Sequence, residues 1–251
     1  MHLLIILTLF IPLHFNIGHW ERLDWAWAGE GDEAHFARLR EEMVREQIAT
    51  PPDYREPVRD ARVLEAMRTV PRHLFVKPKD ISRAYGDFPL PIGYGQTISQ
   101  PYIVAFMTEL LDLRPEHRVL EVGTGSGYQA AILSVLVKEV FTVEIIEALA
   151  EQAKARLRRL GYLNVHVKNA DGYFGWEEDA PFDRIIVTAA ATLVPPPLIR
   201  QLRPGGRMVI PVGGQYTVQY LTVVEKDLRS DIRMRKLLPG VRFVPLTRAL
   251  R

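Results

Sequence analysis

The sequence predicts an α/β fold, in which a mostly parallel β-sheet is covered by helices on both faces. The chain has 251 residues and 47% apolar content, enough to bury a sizeable core. Between residues 118 and 212, short β-rich runs alternate with helical stretches, as in βαβ units. One apolar run breaks into alternating glycines before the next helical stretch, which is typical of a turn that binds a nucleotide-like ligand.

Charge and cysteine content exclude several classes of function. The chain carries 32 basic and 30 acidic residues, a net charge of +2, so no overall field attracts nucleic acid or an anionic membrane. It has no cysteine, which excludes a disulfide framework, a thiolate nucleophile and a cysteine-ligated metal. The spacing of its histidines and acids matches no metal-binding motif, and we expect no metal.

Residues 1–32 are expected to be a leader or signal-like extension outside the fold. The apolar run at 3–11 is too short to span a bilayer as a helix. Residues 26–28 read Ala-Trp-Ala, a small-x-small cleavage site, but no Lys or Arg precedes the apolar run. A start codon placed too far upstream is the alternative. We predict a cytoplasmic protein, and a periplasmic or exported one if residues 1–28 act as a signal peptide.

The N-terminal part, residues 33–100, is predicted to be helical and to end in a long loop. Apolar residues at helical spacing predict a helix over 33–48 and a second one that stops before Pro71. Residues 86–100 hold glycine and proline without a period, and such long ordered loops often carry function. Helical spacing resumes at Tyr102.

The central part, residues 101–215, is predicted to be the ligand-binding core of a single domain that spans 33–251. Its predicted parallel strands are 118–122, 140–144, 165–168, 184–188 and 208–212. The helix at 145–160 ends at Gly161, a suitable C-terminal glycine. In the last part, residues 216–251, the runs 220–224 and 241–244 have no long helix between them, so we predict antiparallel edge strands.

The glycine-rich turn is the most informative segment. Its glycines stand at 123, 125 and 127, whereas a dinucleotide fingerprint would place the third one residue later. Glu144 closes the following strand, where a carboxylate can accept hydrogen bonds from ribose hydroxyls. A plain tight turn with a solvated Glu144 is the alternative. Glu121, inside the preceding strand, either braces the loop backbone or is a solvated side chain at the sheet edge.

These residues resemble the first motif of the class I S-adenosylmethionine-dependent methyltransferases, Glu-Val-Gly-Thr-Gly-Ser-Gly at 121–127. Three further blocks resemble the protein-L-isoaspartate O-methyltransferase family: Val-Pro-Arg-His-Leu-Phe-Val at 70–76, Leu-Pro-Ile-Gly with Gly-Gln-Thr-Ile-Ser-Gln-Pro at 90–101, and Arg-Phe-Val-Pro-Leu at 242–246. The resemblance covers about residues 35–251. It implies a Rossmann-like fold and methyl esterification of the free α-carboxyl of L-isoaspartyl residues in damaged proteins and peptides, which initiates their repair.

The resemblance also implies site residues. For S-adenosylmethionine they are Glu121, Gly123, Thr124, Gly125, Ser126, Gly127, Glu144, Asp171 and Gly172, with Glu144 at the ribose and the last two at the adenine. For the substrate they are Thr97, Ile98, Ser99, Val244 and Thr247. Ser99 is the implied catalytic residue and would orient the carboxylate beside the reacting centre. From the residues alone, Ser99 is also a natural helix N-cap, and Asp171 with Gly172 a natural turn.

Alternatives to this function stay open. A class I methyltransferase could act on a different small-molecule or RNA acceptor, although Arg156, Arg158 and Arg159 form only a short cluster, typical of a solvated helix face. A binding module without transfer is the other alternative. The expected partners are isoaspartyl proteins and peptides, with no nucleic acid and no stable membrane association, and we expect a monomer.

Overall fold

The computed structural model describes residues 30–214, 217–237 and 240–248, so the predicted leader lies outside the described residues apart from the first turn of a helix. The helices are α1 (Glu30–Glu42), α2 (Ala61–Thr69), α3 (Pro101–Leu110), α4 (Tyr128–Ser134), α5 (Glu147–Arg159) and α6 (Pro196–Gln201), and α1 continues as a π-helix (Met43–Ala49). The strands are β1 (Leu90–Gly93), β2 (Gln96–Ile98), β3 (Arg118–Val122), β4 (Glu139–Glu144), β5 (Val165–Asn169), β6 (Phe182–Val187), β7 (Leu202–Val212), β8 (Tyr220–Lys226) and β9 (Ile232–Lys236). Within the described ranges, no helix is both long and apolar enough to cross a membrane.

Seven strands form the central sheet in the order β5-β4-β3-β6-β7-β8-β9. The pairs from β5 to β7 are parallel, and β8 and β9 extend the sheet in antiparallel fashion. This architecture confirms the predicted fold class. The chain runs outward from β3 to β5 and then returns to place β6 beside β3, and ligands of open α/β sheets bind outside the carboxyl ends of the strands at such a reversal.

Apolar side chains cover both faces of the sheet. On β3, Val119 belongs to the apolar cluster that includes α2, α3 and α4, whereas the next residue, Leu120, belongs to the cluster that includes α6. The two residues differ because successive side chains of a strand point to opposite faces of the sheet. Strands buried on both sides appear in the sequence as continuous apolar runs, which is why β3 to β7 could be predicted. The two apolar layers hold the carboxyl ends of β3, β4 and β6 in register.

The segment 86–100 is not a loop throughout, and that prediction was incomplete. Leu90 pairs with Ile98 across the two-stranded hairpin of β1 and β2, and both side chains are buried. The connecting turn places Tyr94 and Gly95 at positive φ, +51° and +72°. Strands of four and three residues are too short to show a sequence period, so the hairpin could not be recognised from spacing.

The predicted strand at 241–244 was wrong. The second antiparallel edge strand is β9, whose five side chains are all exposed, so no apolar alternation marks it in the sequence. Val241 forms only an isolated bridge with Gln219, and Pro245 forms another with Ala190. Residues 240–248, which we call the C-terminal segment, therefore leave the edge of the sheet and pass over the carboxyl ends of its strands.

Candidate active site

The glycine loop begins where β3 ends, at the reversal of the strand order. The Gly123 N–H donates to the Val143 carbonyl over 2.8 Å, and the Thr188 hydroxyl donates to the Gly123 carbonyl over 2.7 Å. Gly123 has a φ of +103°, and a Cβ there would overlap the Thr188 hydroxyl oxygen. Only glycine fits this position without strain, and the loop backbone is thereby brought against the end of β6.

Glu144 stands at the end of β4 and is almost fully buried. One of its carboxylate oxygens accepts the Gly125 N–H at 2.8 Å, and the other accepts the Ile146 N–H at 3.0 Å. Two oxygens offer about four lone-pair sites, so the carboxylate keeps acceptor capacity for a further donor. A solvated Glu144 is excluded. Its binding to a ribose stays a prediction.

Glu121 lies within β3, fully buried, so the interpretation as a solvated edge residue was wrong. The Thr142 hydroxyl donates to one Glu121 oxygen over 2.6 Å, and Thr142 lies 2.7 Å from the Thr124 hydroxyl in the loop. The second Glu121 oxygen has no hydrogen-bond partner among the described residues. Burial raises the pKa of Glu121 to about 8, and the nearby Glu144 charge acts in the same direction. Glu121 thus contacts the glycine loop through the hydroxyls of Thr142 and Thr124.

This buried acid predicts a pH-dependent stability. The native protein keeps the Glu121 proton up to about pH 8, whereas the unfolded chain releases it near 4.5. The unfolded state therefore binds fewer protons between these values, and the free energy of unfolding falls as pH rises through the window. Urea unfolding from pH 5 to pH 8 should show wild type losing on the order of a few kcal/mol relative to Glu121→Gln, at about 1.4 kcal/mol per pKa unit. Parallel pH profiles for the two proteins would contradict this assignment.

Asp171 and Gly172 follow β5. One Asp171 oxygen accepts the Tyr173 N–H at 3.0 Å, which begins a short 3-10 turn, and the other accepts from Arg248 at 3.0 Å. Gly172 lines the cavity at the end of the strands, and a Cβ there would lie 2.5 Å from a methyl carbon of Val122. The predicted turn is confirmed, and glycine at this position keeps the cavity floor open beside β3.

Two adjoining cavities flank the glycine loop. The donor cavity, as we name the first, lies over the carboxyl ends of β3, β4 and β6 and measures ≈ 60 Å³; its lining includes Gly123, Gly125, Glu144 and Gly172. Residues 244–247 of the C-terminal segment also line it. Predicted substrate residue Thr247 therefore lies at the donor cavity.

The acceptor cavity, the second, measures ≈ 650 Å³ and shares Thr97, Thr188 and Val244 with the donor cavity. Ser99 also lines it. The N-cap of α3 is Gln100, and within the described chain the Ser99 side chain makes no hydrogen bond, so the capping prediction was wrong. The Ser99 hydroxyl is therefore available to a ligand in this cavity.

The structure does not bring every predicted residue to a cavity wall. Ile98 is buried in the core beneath the hairpin. Thr124 directs its hydroxyl to Thr142, and the Ser126 hydroxyl lies 3.4 Å from the Tyr128 N–H. Gly127 adopts a φ of +86° at the N-cap of α4. These residues shape the loop, and direct ligand contacts for them stay predictions.

Sequence reasoning missed three polar residues that hold the loop: Thr142, Thr188 and Arg156. Arg156 donates to the Ser126 carbonyl over 2.9 Å, so its interpretation as part of a solvated helix face was wrong. Burial lowers the pKa of Arg156. Thr188 directly follows β6, and a polar residue after a buried parallel strand was the signal that could have found it.

No group of three or more histidine or acidic side chains that could hold a metal occurs in the part of the chain that the structure describes. The polar side chains shared by the two cavities are the hydroxyls of Thr97 and Thr188. Hydroxyls at this junction can donate hydrogen bonds to an anionic group.

Comparison with known proteins identifies the family. The model of the protein-L-isoaspartate(D-aspartate) O-methyltransferase family matches residues 46–251. A relative from Syntrophobacter fumaroxidans, named protein-L-isoaspartate O-methyltransferase 2, is 63% identical over 188 residues, 75% of this chain and 76% of its own. One of the same name from Polaromonas sp. is 59% identical over 192 residues, 76% of this chain and 90% of its own.

Solved structures agree. A protein-L-isoaspartate O-methyltransferase with 32% identity superposes with a TM-score of 0.69 over 75% of this chain, and the match spans 61% of that protein. A Plasmodium falciparum protein described as an enzyme of this kind, in complex with S-adenosyl-L-homocysteine, has 26% identity and a TM-score of 0.69, covering 84% of this chain and 98% of its own. The family model alone covers most of the sequence. The chain belongs to the protein-L-isoaspartate O-methyltransferase family.

Proposed function

We propose that this protein transfers the methyl group of S-adenosylmethionine to the free α-carboxylate of L-isoaspartyl residues in damaged proteins and peptides, the first step of their repair. The observation that carries the proposal is the pair of cavities that meet at Thr97, Thr188 and Val244. One contains the glycine loop and Glu144, and the other is wide enough for a segment of polypeptide. The family and the names of its relatives support the same reaction.

The donor cavity has the features that an adenosyl group requires. Glycine at 123 and 172 lets a ligand approach the backbone, and Glu144 offers carboxylate oxygens to ribose hydroxyls. S-adenosylmethionine supplies an electrophilic methyl group when it is bound. Pockets for small ligands usually measure about 300–1,000 Å³. The donor cavity measures only ≈ 60 Å³ and residues 244–247 line it, so we propose that this segment moves to admit the donor.

The acceptor needs little activation. A carboxylate is already an anion at neutral pH, so the protein has to position it rather than remove a proton. We assign the Ser99 hydroxyl to donate a hydrogen bond to one carboxylate oxygen, with Thr97 nearby at the junction of the cavities. Apolar side chains, among them Phe106 and Phe243, exclude water from the rest of the cavity and strengthen that hydrogen bond.

The reaction is tested with labelled methyl transfer from S-adenosylmethionine to two peptides that differ only in an isoaspartyl or an aspartyl residue. We expect base-labile label on the isoaspartyl peptide alone, since an ester is cleaved by mild base. Equal labelling of both peptides would refute the substrate assignment. Label on neither, with the donor still bound, would refute the reaction.

Replacement of Ser99 by alanine tests the positioning role. We expect kcat to fall about 10- to 100-fold, the effect of losing one hydrogen bond to a charged group of about 1.5–3 kcal/mol, with the affinity for S-adenosylmethionine unchanged. Steady-state kinetics and a donor titration measure the two quantities. Ser82→Ala is the matched control, because Ser82 is exposed and lines neither cavity. Equal kcat for the two variants would contradict the role.

We further propose that the protein is cytoplasmic, because the methyl donor is made and kept in the cytoplasm. We also propose that it is a monomer. Mass spectrometry of the native N-terminus tests the location, and a mature chain that starts at Gly29 would contradict it. Light scattering of the purified protein tests the monomer.

A further inference from the structure

One wall of the acceptor cavity comes from the connection between the π-helix and α2, residues 50–60. Tyr54, Arg55 and Glu56 of this connection line the cavity. Tyr54 is 83% exposed, an unusually open position for a large aromatic side chain. Tyr54 belongs neither to the glycine loop nor to the predicted substrate residues, so its exposure has no role in the site as described above.

Arg55 fixes this connection to the segment 86–100, which contains the hairpin. Its Nε lies 2.7 and 2.9 Å from the two Asp53 carboxylate oxygens, and its Nη1 lies 2.6 Å from an Asp87 oxygen. The side chain is only 15% exposed, and its guanidinium lies 4.5 Å from the centre of the Tyr102 ring. Two carboxylates already neutralise the Arg55 charge. Arg55 is therefore an anchor for the connection rather than a free cation for a ligand.

Tyr102 holds the connection from its other side. Its hydroxyl donates to the Glu56 carbonyl over 2.9 Å, and its ring stacks on Phe106 at 5.5 Å between centroids. The backbone that carries Tyr54 is thus held at the two residues that follow it, Arg55 and Glu56. A ligand contact with a side chain presented in this way loses little conformational entropy.

The chemistry of the cavity indicates what Tyr54 contacts. Several of the other lining side chains are apolar, among them Leu237, Val241 and Phe243. Among the described residues, the charged side chains that line the cavity besides Arg55 are Glu56 and Arg242. They have opposite signs, so these residues favour neither an acidic nor a basic neighbour of the modified residue. An exposed aromatic ring at an apolar cavity suits an apolar or aromatic side chain of the acceptor.

We propose that Tyr54 is a specificity-determining residue that packs against an apolar or aromatic side chain next to the isoaspartyl residue of the acceptor, with Arg55 as its positioning residue. This inference rests on the proposed function. The contact with Tyr54 would add a preference for the sequence around the isoaspartyl residue, in addition to the roles proposed for the glycine loop and Ser99.

The test uses two isoaspartyl peptides that differ only in carrying Phe or Ser on both sides of the isoaspartyl residue. Wild type should show a KM for the Phe peptide about 3- to 10-fold lower, as expected for one aromatic contact of about 0.5–1.5 kcal/mol. Tyr54→Ala should abolish this ratio, with kcat and the affinity for S-adenosylmethionine unchanged, and Tyr54→Phe should retain it. Leu163→Ala, which removes a similarly exposed apolar side chain outside both cavities, should retain it as well.

The positioning role of Arg55 is tested by its effect on the KM ratio that depends on Tyr54. Arg55→Ala should reduce the KM ratio, Arg55→Lys should restore part of it, and Arg55→Ala should have no further effect on the ratio in the Tyr54→Ala background. A ratio that survives in Tyr54→Ala, or a wild type that does not distinguish the peptides, would overturn the inference. Failure of wild type to methylate either isoaspartyl peptide would instead refute the proposed function.

Discussion

Replacing Glu144 with glutamine is expected to weaken the binding of S-adenosylmethionine about 30-fold or more. The two Glu144 oxygens accept the N–H groups of Gly125 and Ile146, so an amide NH₂ must face one of these two donors. An unsatisfied buried group costs about 1–3 kcal/mol, and the loss of a charge-assisted hydrogen bond to the ribose costs a similar amount. The sum, about 2–6 kcal/mol, corresponds to a factor of about 30 or more, because about 1.4 kcal/mol is a factor of ten.

Isothermal titration with S-adenosylmethionine measures this loss, and a thermal melt establishes that the variant is folded. Glu147→Gln is the matched control, since Glu147 is exposed at the start of α5, three residues beyond Glu144. It removes the same charge from the same part of the molecule without touching the loop. If both variants lost affinity equally, the effect would be one of overall charge, and the role assigned to Glu144 would be wrong.

The fold could be predicted where burial imposes a sequence pattern. The strands β3 to β7 are buried on both faces and therefore appear as apolar runs, and α5 ends before Gly161, where φ is +84°. β9 has no buried side chain and could not be recognised. The run at 241–244 has the composition of a strand, but it packs over the cavities instead of pairing along the sheet.

The site could be predicted only as far as it is local in sequence. The glycine loop and Glu144 each carry their own signal, which is a turn or a strand end. The contact between Glu121 and Thr142 depends on the register of β3 against β4, where these residues are direct neighbours, and no sequence pattern contains that register. Arg55 and Asp87 likewise meet only because two loops converge at the acceptor cavity.

Replacing Gly123 with alanine is expected to abolish measurable binding of S-adenosylmethionine, or to weaken it by more than about 100-fold. Two effects add at this position. A φ of +103° strains any residue with a Cβ, at about 1–3 kcal/mol, and the new methyl group would overlap the Thr188 hydroxyl. Because Thr188 lies at the junction of both cavities, the displacement would distort the donor and acceptor sides together.

Two further variants separate strain from overlap. Gly161→Ala introduces a Cβ at a φ of +84° with no neighbouring atom within 4 Å, so it should lower the unfolding free energy by the strain alone and leave donor binding intact. Thr188→Ala in the Gly123→Ala background removes the obstructing hydroxyl and should recover part of the donor affinity, although it also removes the hydrogen bond to the Gly123 carbonyl. Titration and urea unfolding of the set measure both quantities. If Gly123→Ala bound the donor as well as Gly161→Ala does, close approach of the loop backbone to Thr188 would not be what shapes the donor cavity.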